Sequence, residues 1–303
     1  MMSSENLSHF SASCSSITEE GRAKINLALH VTGQRPDGYH LLDMLVTFAD
    51  HGDRLGFTRS PADEFFLSGR FGETLAGDGG TNLVLQAREL LREEIGALAF
   101  PVRIHLEKNL PVASGIGGGS ADAAATLRGL MRLWGATLPE EALAALALKL
   151  GADVPMCLAS RPLIARGIGE ELEPVPELPA FAMVLANPLK GVSTPEVFRR
   201  LAEKNNPALR LAPSRLQTAD WLAVIAAARN DLEPPARELV PEISEISAML
   251  QAKGALLTRM SGSGATCFGI FASMTAAEDA AAALHDARPD WYFQATETVS
   301  GGA

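Results

Sequence analysis

The sequence predicts a two-domain α+β protein, from its length, its mixture of elements and one break in composition. Its 303 residues, 47% hydrophobic and 20% charged, are enough for two cores. Strand-like and helix-like stretches are interspersed without the regular βαβ rhythm of a doubly wound parallel sheet. Pro and Glu crowd the stretch from Leu172 to Pro179. We therefore place the domains at residues 21–170 and 171–303, behind a Ser-rich stretch, residues 1–20, read as a disordered extension.

From Arg22 to Arg59 the pattern is that of strands, with Ile25, Leu27 and Leu29 alternating against Lys24, Asn26 and Ala28. Arg35-Pro36-Asp37-Gly38 has turn chemistry, and a second strand follows at Leu41 to Phe48. A third runs from Val102 to Glu107. Helices are predicted over Asn82 to Glu94 and over Ser120 to Trp134, where Leu127, Leu130, Met131 and Trp134 recur at helical spacing. Another starts at Thr137-Leu138-Pro139-Glu140, with Thr137 as cap and Glu140 closing a capping box, and stops near Gly151. In the second half, Phe181 to Ala186 and Cys267 to Ala272 read as strands, and Pro241 to Gln251 and Ala276 to His285 as amphipathic helices.

Charge and cysteine content narrow the function classes. A net charge of −10 and a pI of about 5.2 repel polyanions, which argues against a nucleic-acid partner. The first 20 residues lack the basic and apolar regions of a secretory signal, and no stretch reaches the roughly 18 consecutive apolar residues of a membrane span. A cytoplasmic protein without a membrane partner is expected. Cys14, Cys157 and Cys267 are odd in number and far apart, which fits a reducing compartment, and the last two sit in apolar runs as small buried hydrophobes.

Four segments carry chemistry. Pro111-Val112-Ala113-Ser114-Gly115-Ile116-Gly117-Gly118-Gly119-Ser120 follows a strand and opens into a helix. Its glycines let several N–H groups converge on one anion, and the positive end of the helix dipole adds to the attraction, so we read it as a phosphate-binding loop. It lacks the Lys of a Walker A loop and the βαβ setting of a dinucleotide fold; the competing reading is a flexible turn with Ser120 as N-cap. Lys24 and Asn26 share one strand face, suited to a phosphate and a hydroxyl, or simply solvated. Asp153, in Gly151-Ala152-Asp153-Val154-Pro155, is a general base, a metal ligand or a turn former. The loop Met260 to Cys267, with Gly262-Ser263-Gly264 at its centre, closes over a nucleotide or makes a tight turn.

In this order the four segments resemble the motifs of the GHMP kinase superfamily over roughly Arg22 to Phe271. The resemblance implies a two-domain fold, an N-terminal ribosomal-S5-like α/β domain followed by a C-terminal ferredoxin-like domain. Within the superfamily, Ala23-Lys24-Ile25-Asn26-Leu27, Gly33-Gln34-Arg35-Pro36-Asp37-Gly38-Tyr39-His40 and Ala165-Arg166-Gly167-Ile168-Gly169-Glu170 look like the members whose acceptor is a cytidine-diphosphate-linked methylerythritol. Homoserine and mevalonate kinases are not expected to carry the Asp-Gly-Tyr-His segment.

By this resemblance Asp153 takes the proton of the acceptor hydroxyl while Lys24 orients it and stabilises the γ-phosphoryl group. Pro111, Ala113, Ser114, Gly115, Ile116, Gly117, Gly118, Gly119 and Ser120 bind ATP, with Ser120 close to Mg²⁺ or to a β-phosphate oxygen. Asn26 holds the acceptor end, Tyr39 and His40 contact the cytosine, and Phe198 and Thr194 complete its wall. ATP and Mg²⁺ are the implied cofactors, small molecules the only implied partners, and the protein a monomer or homodimer. Ser120-Ala121-Asp122 departs from the Ser-Ser-Asn-like run of many relatives, and the alternatives are another acceptor on the same fold or a nucleotide-binding protein without catalysis.

Overall fold

The computed structural model describes residues 16–75, 82–210 and 217–302. Two long strands, β1 (Ile17–Gln34) and β2 (His40–Arg59), form an antiparallel hairpin that organises the first half. Its turn closes as the sequence predicts: Gly38 N donates to Arg35 O at 2.9 Å, Gly38 takes φ +93°, and Asp37 Oδ1 accepts from Tyr39 N at 3.2 Å. Then follow β3 (Glu64–Ser68), α1 (Leu83–Ile95), β4 (Val102–Glu107), α2 (Gly118–Trp134), α3 (Glu140–Leu150), α4 (Val154–Ala159), β5 (Leu163–Gly167) and β6 (Glu171–Pro174). β2 is the spine of this sheet. Along one edge it pairs with β1; along the other its end, Arg54 to Arg59, pairs with β4 and its start, Leu42 to Val46, with β5. The order is β3-β4-β2-β5-β6, with β3 and β4 parallel.

The second half contains β7 (Ala182–Asn187), α5 (Thr194–Arg199), α6 (Thr218–Ala227), α7 (Glu233–Leu239), α8 (Glu242–Ala252), β8 (Leu257–Met260), β9 (Cys267–Phe271), α9 (Met274–Ala287) and β10 (Tyr292–Glu297). Its antiparallel sheet runs β10-β7-β9-β8, so the first and last strands of a β-helices-ββ-α-β chain lie side by side, the ferredoxin-like arrangement. The two halves share apolar contacts. Ile25, Leu27 and Leu45 of the first sheet cluster with Met183, Leu185 and Phe268 of the second sheet and with Trp221 of α6. Arg259 ties them further, donating to Leu27 O at 2.7 Å and, within the second half, to Ile225 O at 2.8 Å.

Several expectations need correction. Ile17–Glu20, assigned to a disordered extension, lie in β1, where Glu19 accepts from Arg128 at 3.0 Å and Arg132 at 2.5 Å; residues 1–15 lie outside those described. The first sheet continues past residue 170, because β6 pairs with β5, and the halves divide between Pro174 and Ala182. Thr137 does not cap α3: Pro139 stands at the cap without a side-chain bond, and the capping box is not made. α2 begins at Gly118 behind Gly117, so Ser120 lies inside its first turn and is not its cap. Periodicity left α4, α5, α6 and α7 unassigned, as expected of short helices that open on or beside prolines or carry little amphipathic contrast.

Candidate active site

The loop between β4 and α2 is shaped by close backbone approach. Gly115 (φ +77°) lies against the loop of residues 261–264, where a Cβ would meet Ser261 O at 2.6 Å and Gly264 N at 2.7 Å. Ser261 Oγ donates to Gly115 O at 3.2 Å and accepts from Asn26 N at 3.0 Å, while Thr266 N donates to Ser114 O at 3.0 Å. Asn230 Nδ2 holds the outer loop from behind, bonding Met260 O and Gly262 O, each at 2.8 Å. The Gly262-Ser263-Gly264 segment thus braces the glycine loop. The first intrahelical bond of α2 at this end runs from Ala121 N to Gly117 O at 2.8 Å, which leaves the amides of Gly118, Gly119 and Ser120 without an intrahelical partner, and all three residues line the cleft.

Lys24 is 4% exposed, so the strand face predicted to bear it is covered. Its N donates to Ile116 O at 2.9 Å, and a Cβ on Gly117 would lie 3.3 Å from its Cβ. Its Nζ reaches Asp153 Oδ2 at 2.7 Å. Asp153 stands at the N-cap of α4 without capping it, which leaves the carboxylate turned to Lys24. Asn26, fully buried, donates to Met44 Sδ at 3.3 Å, and its Oδ1 lacks a partner in the wall of the cleft. A buried acceptor without a protein partner in the wall of a cleft can take a hydrogen bond from a water or a ligand there.

Three adjoining cavities surround the loop. The inner one, about 350 Å³, holds Lys24, Asn26, the glycines and Asp153. An outer one of about 840 Å³ is lined by Tyr39, His40, Asp153, Thr194 and Phe198 among others. Leu42, Ser120, Asp153, Thr194 and Phe198 belong to both walls. The third, about 200 Å³, lies beyond Gly118 and Gly119, where Leu75, Val84, Leu106, Pro111 and Val112 share the wall with Asn82, Lys108 and Asp122. Tyr39 is 60% exposed at the rim of the outer cavity, and Phe198 stacks on His40 at 4.6 Å. Burial, and then the Lys204 ammonium, hold the His40 imidazole below its ordinary pKa. Thr194 Oγ1 meets Ser263 Oγ at 2.7 Å. Ile116 contributes only backbone, its side chain being buried in the core.

Sequence reasoning missed a buried ionic hub below the loop. Lys108 Nζ donates to Asp122 Oδ2 at 2.7 Å and to Asp53 Oδ2, and all three residues are at most 2% exposed. No local pattern marked it: Asp53 stands among Asp50, His51, Gly52 and Arg54, and Lys108 follows the end of β4 beside Asn109, so each reads as an ordinary surface charge. Burial, opposed by Lys108 and reinforced by Asp53, raises Asp122 well above the usual carboxylate range. Cys157 and Cys267 are buried, and desolvation pushes both thiols up to about 12, as befits inert core residues.

Fold and site together define a small-molecule kinase. Residues 82–161 match the GHMP kinases N terminal domain and residues 208–290 the GHMP kinases C terminal. The chain belongs to the GHMP kinase family, whose members take their phosphoryl group from ATP. It is 90% identical over 302 residues to a 4-diphosphocytidyl-2-C-methyl-D-erythritol kinase of Rhizobium johnstonii, covering 100% of both chains. With the enzyme of that name from Agrobacterium fabrum it shares 62% over 287 residues, 93% of this chain and 96% of that one. A crystal structure of 4-(cytidine 5'-diphospho)-2C-methyl-D-erythritol kinase is 35% identical with a TM-score of 0.77, over 93% of this chain and 99% of that one.

The raised Asp122 gives a signed prediction. The folded protein keeps a proton that the unfolded chain releases above about pH 4, so this group lowers stability as pH rises from there toward its folded value. Asp122→Asn has no proton to lose, so its Tm is expected to gain on wild type as pH is raised above about 4. Parallel Tm curves in thermal melts would contradict this.

Proposed function

We propose that the protein transfers the γ-phosphoryl group of ATP to the 2-hydroxyl of 4-diphosphocytidyl-2-C-methyl-D-erythritol, giving the 2-phosphate and ADP, in the non-mevalonate (methylerythritol phosphate) isoprenoid pathway. The observation that carries this reading is the meeting of two cavities at the Lys24–Asp153 pair, one with phosphate-binding amides and one with aromatic walls. The Asp153 carboxylate accepts the hydroxyl proton, the freed oxygen bonds to the γ-phosphorus, and the bond from that phosphorus to the β–γ bridging oxygen breaks to release ADP. Lys24 orients the hydroxyl and offsets charge on the transferring group. Asn26 Oδ1 receives a hydrogen bond from the acceptor end.

The loop from Pro111 through Ala113, Ser114, Gly115, Ile116 and Gly117 to Ser120 holds the ATP phosphates. The cytosine lies between Tyr39 and Phe198, beside His40 and Thr194. Among the described residues no three His, Cys, Asp or Glu side chains form a metal cage, whereas the Ser120 hydroxyl and the Asp153 carboxylate are oxygen donors beside the loop. That donor set fits Mg²⁺ carried in largely on phosphate oxygens and water, with Ser120 beside it. The ion would neutralise charge on the phosphates when bound. We place the protein in the cytoplasm as a monomer or homodimer without nucleic-acid partners, in keeping with its net charge of −10. Among the described residues, no helix is long and apolar enough to cross a membrane.

ADP release with Mg-ATP is expected with the cytidylyl acceptor and absent with homoserine, mevalonate or galactose. Turnover of one of the latter would move the chain to another substrate within the same fold. Phe198→Ala should raise KM for the cytidylyl acceptor by about 5-fold to 150-fold, the loss of one stacking contact of about 1–3 kcal/mol, and leave KM for ATP unchanged. Initial rates with each substrate varied in turn measure both, and an unaltered acceptor KM would remove Phe198 from the base site.

A further inference from the structure

We propose that Asp53, Lys108 and Asp122 form a buried clamp that fixes both ends of the glycine loop and so positions its amides for the nucleotide phosphates; this rests on reading the loop as the ATP site. The loop leaves the sheet at Lys108 and enters α2 at Gly118. At the first end, Asp53 on β2 accepts from Asn109 N at 2.6 Å and Leu110 N at 2.8 Å through Oδ1, while Oδ2 takes the Lys108 ammonium. Lys108 itself is tied by its backbone, its N donating to Ser68 O at 2.8 Å and its O accepting from Phe71 N at 2.9 Å. At the second end the same ammonium bonds Asp122 at 2.7 Å, inside α2. A Cβ on Gly118 would lie 3.0 Å from Lys108 Nζ, so the ammonium sits directly beneath the residue that opens the helix.

Close packing alone does not account for this hub. Apolar residues of similar volume fill such a space at no greater cost than ions, whose desolvation is expensive. Two acidic side chains converge on one ammonium, and Asp122 Oδ1 is left buried without a partner. β1 closes over that oxygen through Gly21, where a Cβ would lie 2.8 Å away. What ions add is direction: each bond fixes the position of one loop end relative to the sheet. The three side chains are positioning residues, acting on the phosphates through the amides of Gly118, Gly119 and Ser120.

The test is calorimetric titration of the full chain with MgADP, alongside CDP as a ligand for the other cleft, in wild type, Asp53→Ala, Asp122→Ala and Asp122→Asn. Each alanine variant is expected to weaken MgADP by about tenfold to a hundredfold, the cost of a small misplacement, and CDP by less than about twofold. Asp122→Asn should recover most of the affinity that Asp122→Ala loses, because the amide oxygen still accepts from Lys108. If Asp53→Ala does not fold, the two Asp122 variants decide the matter. MgADP affinity within about twofold of wild type in Asp122→Ala, or equal weakening of both ligands, overturns the clamp. Wild type that binds MgADP and not CDP leaves the clamp to the MgADP arms and refutes the acceptor assignment instead; wild type that binds no MgADP overturns the nucleotide reading and the clamp with it.

Discussion

The Lys24–Asp153 ion pair joins two residues 129 positions apart in the chain, at a distance of 2.7 Å, and the surrounding architecture depends on holding them there. Lys24 comes from β1, where its backbone is bonded to the glycine loop. Asp153 comes from the start of α4, held against α2 and the sheet by Val154, Met156 and Cys157, all buried. Strand and helix are rigid elements, so neither side chain needs a mobile loop to reach the other. That is the condition under which positioning contributes most to a transfer reaction.

A second constraint is electrostatic. A protein of net charge −10 binds a polyanion by presenting partial charges locally, and backbone amides do this without adding a cation for every phosphate. Amides point correctly only if the backbone is fixed. The glycine loop is held from outside by Ser261, Gly262 and Gly264 and from below by the Asp53–Lys108–Asp122 hub. The second half of the chain therefore contributes to the site through a brace at residues 261–266 and through α5, which carries Thr194 and Phe198.

Much of this was legible in the sequence because it rests on local chemistry. The strand of Val102–Glu107 alternates cleanly and appears with those bounds, and the turn at Arg35 to Gly38 follows from its Pro, Asp and Gly. The glycine loop stood out by its own composition, whereas Lys24 and Asp153, each of which alone reads equally as a solvated strand position or a turn residue, gained their weight from the resemblance to the family's motifs. What was not legible depends on tertiary contact. Burial of Lys24 and Asn26 needs the glycine loop and the outer brace laid over β1, which no window of the strand encodes. The membership of β6 in the first sheet depends on pairing with β5, although its composition reads as a linker. The hub joins residues 53, 108 and 122, each of which looks like an ordinary surface charge until the chain is folded.

The most direct test of the account is a comparison of Asp153→Asn with wild type in single-turnover phosphoryl transfer, with binding of each ligand measured separately. The substitution keeps the size of the side chain and removes the proton acceptor. The account predicts that the rate of the chemical step falls by about 100-fold to 10,000-fold while both ligands still bind. A rate within about tenfold of wild type at full occupancy would show that proton transfer to Asp153 is not part of the step, and would contradict the role given to the pair.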